Sequence, residues 1–244
     1  MRIRLLVVLF LAAGPLAGQE SATAIVPVVG SVFGATMVRW RTDVEIVNDT
    51  GQTVDVAIEL PLAPESPVIV LTLGPGQLQR FTDIIGQAFG LDHALSPLRV
   101  TTAGRRSVTV RAAAYASRET ELFPAQPLAV YIGSTFFPSR VLDNLAFSDD
   151  FRTNIGLVNM GEHDAHVVLA LQRIVGRTIA VSHVRVPANS ILHDSIQSLF
   201  PLITKGDGFS VVVETASRDT LVYASVIESA NQAGKFIAPR VGLR

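Results

Sequence analysis

The sequence predicts an all-β chain of two tandem antiparallel β-sandwich domains, each with one short helix, and three observations predict it. The stretch WRTDVEIVN, Trp40 to Asn48, returns 111 residues later as FRTNIGLVN, Phe151 to Asn159, so the chain reads as one unit built twice. Apolar and polar residues alternate over short runs in both copies, which is the period of a strand with one face buried. Gly, Pro, Asn and Asp punctuate those runs, and no alternation of strand with long helix interrupts them.

The chain begins with an export pattern. Met1 to Arg4 carries two arginines, Leu5 to Ala13 is an apolar run of nine residues, and Gly14 to Gly18 is small and turn-prone. A membrane span needs about 20 apolar residues, so this is a secretory signal peptide over residues 1–18, with the mature chain beginning between Gln19 and Ile25. The remainder divides into a first repeat, 19–125, and a second, 126–244, which includes its own apolar lead-in. There is no Cys, so neither a lipoprotein anchor nor a disulfide framework is available and burial alone must hold the fold. The 20 basic and 21 acidic side chains nearly cancel, which removes the electrostatic reason for a nucleic-acid partner. Nothing after the signal is long and apolar enough to span a membrane as a helix.

Each element can be read against its copy. Ile25-Val26-Pro27 matches Phe136-Phe137-Pro138 as an apolar lead-in whose Pro suits a sheet edge or strand start. WRTDVEIVN and FRTNIGLVN follow as the first long strand, with Trp40, Thr42, Val44 and Ile46 on one face and Arg41, Asp43, Glu45 and Val47 on the other. Asn48-Asp49-Thr50-Gly51 and Met160-Gly161 are turn signals, and a hairpin to a return strand at 53–60 is expected from the first. The sequon at Asn48 is read as part of that turn rather than as a glycosylation site. Val68 to Leu73 corresponds to Ile179 to Val186. Asp83 and Asp194 suit the N-cap of a short helix, with Gln197 completing a capping box in the second copy. Two strands close each unit, Leu98 to Thr102 and Val108 to Ala116 in the first, Phe209 to Val213 and Asp219 to Ile227 in the second. The connection from Glu119 to Ser139 is too apolar for a free tether, so much of it should pair as strand and hold the units together; Phe236 to Pro239 matches Leu122 to Ala125 as a closing segment.

Taken together, FRTNIGLVN, the stretch Asp194 to Phe200 and Val222-Tyr223-Ala224-Ser225-Val226 resemble a tandem repeat found in uncharacterised secreted proteins of Gram-negative bacteria. The resemblance covers nearly the whole mature chain. It implies an Ig-like sandwich and a secreted or cell-surface setting, and it brings no catalytic residues to carry over.

Candidate chemistry is sparse. Glu162-His163-Asp164-Ala165-His166 offers imidazoles and carboxylates that could ligate zinc, although a usable site wants three or four convergent ligands and the spacing fits no standard pattern. A solvated turn is the simpler reading. Ser190, His193 and Asp194 suggest a hydrolytic set, but no nucleophile elbow accompanies them. Arg41 and Arg152 sit opposite the core face in both copies, either gripping a ligand or forking to carbonyls or to Asp83 and Asp194; their duplication favours the structural role. Asn48 and Asn159 recur in the same way. The expected function is therefore a non-catalytic exported protein for binding or structural display, with no cofactor and an unknown protein or polysaccharide at the cell surface as partner, in the periplasm or outside. A metal-dependent or hydrolytic enzyme using His163, His166 or His193 is the alternative from another class. A carbohydrate-binding module is a third, though one Trp and three Tyr make a thin aromatic platform.

Overall fold

The computed structural model describes residues 22–34, 38–104, 108–132, 139–174, 176–215 and 217–241. The expected signal peptide at 1–18, the expected Arg105-Arg106 turn and the expected lead-in at 136–138 lie outside these residues. The described chain is all-β, with antiparallel pairing throughout and two short helices. In the first half the elements are β1 (Ala22–Phe33), β2 (Arg39–Val47), β3 (Val54–Glu59), β4 (Ile69–Leu73), β5 (Leu78–Phe81), α1 (Ile84–Phe89), β6 (Ala94–Thr102), β7 (Thr109–Arg118), β8 (Glu121–Leu122), β9 (Gln126–Leu128) and β10 (Tyr131–Ile132). The second half has β11 (Ser139–Phe147), β12 (Phe151–Asn159), β13 (Ala165–Ile174), β14 (Arg177–Val186), β15 (Ser190–Ser195), α2 (Ile196–Leu199), β16 (Gly206–Thr215), β17 (Thr220–Glu228), β18 (Gly234–Ile237) and β19 (Arg240–Val241).

In the second half the strands order as β14-β13-β16-β11-β19 and β15-β12-β17-β18. The first half has the same two orders, β4-β3-β6-β1-β10 and β5-β2-β7-β9. Its two sets are joined because β1 is long enough to pair with β6 along most of its length and with β2 at its end. The alternating apolar residues do what their period demands. Val44 and Ile46 of β2, Val56 and Ile58 of β3, Leu98 and Val100 of β6, and Val110 and Ala112 of β7 meet in one buried core. The equivalent core of the second half joins Ile155, Leu157, Val167, Leu169, Leu171, Val211, Val213 and Val222. Each such side chain contributes roughly 1.5–3 kcal/mol when fully removed from water, so no disulfide is required.

Several expectations are corrected by the pairing. The repeated WRTDVEIVN and FRTNIGLVN strands are second, not first, because β1 and β11 precede them. Pro27 lies inside β1 at the register shift between Val26 and Val29, where the missing N–H breaks no regular ladder. No hairpin forms at Asn48: β2 pairs with β1, β5 and β7, whereas β3 pairs with β4 and β6, so the chain crosses from one set of strands to the other. The turn at Met160 is the same crossing, from β12 to β13. The apolar connection does pair, but with the first half: β9 adds to β7 and β10 to β1, which carries that half's sheets past residue 125 to Ile132. By register Leu128 faces Ala112 as Ile237 faces Ala224, so the counterpart of Phe236-Ile237 is Pro127-Leu128. Leu122, expected in that role, is 71% exposed.

The crossing has one physical cause in both copies. Asn48 is fully buried; its Nδ2 donates to the carbonyls of Gln52 (2.8 Å), Leu73 (2.8 Å) and Gly74 (3.0 Å), and its Oδ1 accepts from Thr50 N (3.0 Å). Asn159, equally buried, donates to the carbonyls of His163 (2.8 Å), Val186 (3.1 Å) and Pro187 (3.0 Å) and accepts from Gly161 N (3.0 Å). One amide thus binds the crossing turn to the end of the strand on the other sheet. Leaving a buried carbonyl without a donor costs about 1–3 kcal/mol. Asn159→Ala should destabilise by about 2–4 kcal/mol in chemical denaturation. Asn159→Asp should cost more, because it sets an anionic oxygen against three carbonyl oxygens. Equal stability of the two variants would show that the donor geometry is not what matters.

Candidate functional site

Arg41 and Arg152 begin from matching places but find different partners. Arg41 Nε meets Asp83 Oδ2 at 3.2 Å and its Nη1 donates to Ser117 Oγ at 3.2 Å, all within the first half. Asp83 caps α1 from a left-handed conformation, φ 59°, and its carboxylate accepts from Gly86 N at 3.3 Å and from Ser31 Oγ at 3.3 Å. Arg39 reaches the same group through Ser31 Oγ at 3.0 Å. Arg152 instead donates to Gln232 Oε1 at 2.6 Å, and burial lowers its pKa. The expected Arg152–Asp194 pair does not form, since Asp194 lies within β15 opposite Ile155. Nor does Asp194 cap α2. Ser195 does, accepting from Ser198 N at 3.0 Å, which leaves Gln197 outside any capping box and Asp194 accepting from Ser195 N at 2.7 Å.

The His163 turn does not converge. His163 and His166 are both exposed, and the carboxylate between them is already engaged. Asp164 pairs with Arg185 and accepts from Ala188 N at 3.0 Å; the hydrogen bond from Arg185, then that from Ala188, holds its carboxyl below the usual range. Among the described residues no group of three or more His, Cys, Asp or Glu is placed to hold a metal ion.

The Ser190, His193 and Asp194 set is also spread along one strand. Ser190 Oγ donates to Pro187 O at 2.7 Å, and β15 places Ser190 and His193 three residues apart, on opposite faces. His193 Nδ1 lies 2.8 Å from Tyr223 Oη. Burial of the ring lowers the His193 pKa, the nearby Asp194 opposing, although the residue as a whole keeps an exposed surface.

That contact belongs to a feature the repeat did not foretell. Reading across the second half, His193, Gly156 and Tyr223 form one row of β15, β12 and β17. Gly156 stands where the first copy has Glu45. A Cβ there would lie 2.1 Å from Tyr223 Cζ, so the phenol lies across the bare glycine, reaches His193 and stacks on Phe236 at 5.2 Å. Tyr223, Val158 and Leu221 form a buried cluster against Ile25, Val28 and Leu62 of the first half. Tyr131 Oη adds a hydrogen bond to Val222 O at 3.4 Å. The buried Arg140, its pKa lowered by desolvation, donates to Thr220 O at 2.8 Å within the second half. The legible signal is the loss of alternation: β12 and β17 bury both faces, whereas β2 keeps Arg41, Asp43 and Glu45 half-exposed. The repeated threonines, placed by alternation on the core face, have a further role. Thr42 Oγ1 accepts from Gly30 N (3.0 Å), and Thr153 Oγ1 accepts from Ala146 N (3.2 Å) and donates to Ala146 O (2.6 Å), tying each repeated strand to the one before it.

No protein-family model matches this chain, and comparison with the curated proteins and with the solved structures returns no match.

Two outcomes follow from the Tyr223 row. Gly156→Ala should cost about 3 kcal/mol, and Gly156→Ala/Tyr223→Ala should be less damaging than the sum of its single variants by about 1 kcal/mol or more. Additive losses in urea titrations would separate the two residues. The second outcome concerns pH. A lowered His193 pKa means the unfolded chain binds the proton more readily, so this contribution is full above about pH 6.5 and is lost as pH falls through the lower folded value. His193→Gln should flatten the fall in stability between neutral pH and the folded-state titration; an unchanged profile would remove His193 as its source.

Proposed function

We propose that this chain is an exported, non-catalytic protein of two tandem Ig-like β-sandwich domains that serves binding or structural display in the periplasm or at the cell surface. The observation that carries the reading is how the candidate side chains are employed. Asn48, Asn159, Arg41, Asp83, Asp194 and Ser190 each bond to groups of their own half, and Asp164 is held by Arg185. Side-chain catalysis needs a base, a nucleophile or metal, and a charge stabiliser within a few ångströms of one another, and these groups are distributed along strands and turns instead. Duplication supports the same reading, because positions kept in two copies are those both copies need in order to fold. The export half of the proposal rests on the basic, apolar and small-residue succession of Met1 to Gly18. Among the described residues no helix is long and apolar enough to cross a membrane. The partner is an unknown protein or polysaccharide, and the resemblance to secreted Gram-negative repeats points to the same compartment.

Mass spectrometry of the exported fraction should give a chain starting between Gln19 and Ile25. An intact Met1 to Gly18 in that fraction would refute export by cleavage. Metal analysis of the purified protein, with His163→Ala/His166→Ala alongside, tests the other half: stoichiometric zinc that disappears in the double variant would overturn the non-catalytic reading.

A further inference from the structure

A cleft of about 300 Å³ lies where the two halves face one another. One wall is the β3–β4 connection of the first half, with Pro61, Ala63, Pro64 and Ser66. Met160, which follows β12, and Asn189, between β14 and β15, form the other. Glu59 and Arg99 lie across it as a cross-strand pair at 2.8 Å. Pockets that hold small ligands start near this size and favour junctions between packed units.

We propose that this cleft is a binding site for a short neutral saccharide, which rests on the binding arm of the function proposed above. The chemistry of the lining selects the class. Glu59 and Arg99 neutralise each other, so a charged ligand would gain a partner only by separating them. Both remain about one-third exposed, which leaves carboxylate lone pairs and guanidinium N–H groups directed to solvent. Sugar hydroxyls donate and accept from the same atom, and so can use both members of an intact ion pair together with the Asn189 amide. Pro61, Pro64 and Met160 give rigid and adaptable apolar surfaces for the C–H face of a sugar ring. The turn bearing Asn189 is fixed by a hydrogen bond from its N to Gly161 O at 3.1 Å and by a left-handed φ of 48°, so that wall is positioned before any ligand arrives. Among the described residues no aromatic ring lines the cleft, which sets the expected dissociation constant at about 1 mM or weaker.

The test uses the mature protein in ¹H–¹⁵N spectra, titrated with maltose, cellobiose, N,N′-diacetylchitobiose, galacturonate and a Pro-rich decapeptide. Saturable shifts at Ser66, Arg99, Met160 and Asn189 with a neutral disaccharide, weakened about tenfold in Asn189→Gly, are the expected result. Asn189 lines the cleft at a left-handed φ of 48°, so glycine keeps the turn while removing the amide. Glu59→Gln releases Arg99 and should move the preference toward galacturonate, an effect that mere loss of stability would not produce. Saturation by the peptide but not by any sugar would overturn the saccharide assignment, as would the absence of saturable shifts at these four residues; either leaves the exported display reading standing. Cleavage of a disaccharide during the titration would do the reverse, retaining the cleft as a sugar site while refuting a non-catalytic protein.

Discussion

The structure depends on a single side-chain amide used twice. A chain that crosses between stacked sheets must bring backbone carbonyls out of one ladder before another can receive them, and those groups are too buried for water to serve. Asn48 and Asn159 resolve this with one Nδ2 that serves three carbonyls apiece. Backbone contacts reinforce the first: Asn48 N donates to Gln77 O at 3.0 Å and Gly76 N donates to Asn48 O at 2.8 Å, so the β2–β3 and β4–β5 connections converge on one residue. The order of strands in each half follows from where the chain is allowed to cross.

This also explains which parts of the fold the sequence displays. Alternation reports which face of a strand is buried, so the burial of Thr42, Val44 and Ile46 could be read directly from WRTDVEIVN. It does not report a strand's neighbour. Asn-Asp-Thr-Gly serves a hairpin as readily as a corner between sheets, and the deciding contacts, with Leu73 and Gly74, come from 25 and 26 residues away. The cap of α2 was displaced by a single residue for a similar reason: β15 runs through Asp194 to Ser195, and the strand's last residue is the one whose side chain reaches the helix.

The candidate residues were legible as types and illegible as a constellation. Spacing identified Arg41 and Arg152 as equivalents, but the partner of Arg152 is Gln232, 80 residues on, in a loop with no marked counterpart in the first copy. The Tyr223 row was visible only as a difference between copies, Gly156 for Glu45 and a strand with two apolar faces. The difference, Gly156 for Glu45, underlies the Tyr223 contact between the halves, and the similarity, Asn48 and Asn159, holds each half internally.

The exchange of Glu45 for Gly156 gives the molecule a direction. The second half presents Val158, Leu221 and Tyr223 to its predecessor, while their register counterparts in the first half, Val47, Thr109 and Arg111, stay half-buried or exposed. The halves are therefore not interchangeable modules. A gene with their order reversed would press Arg111 against an apolar surface and leave a buried tyrosine in solvent.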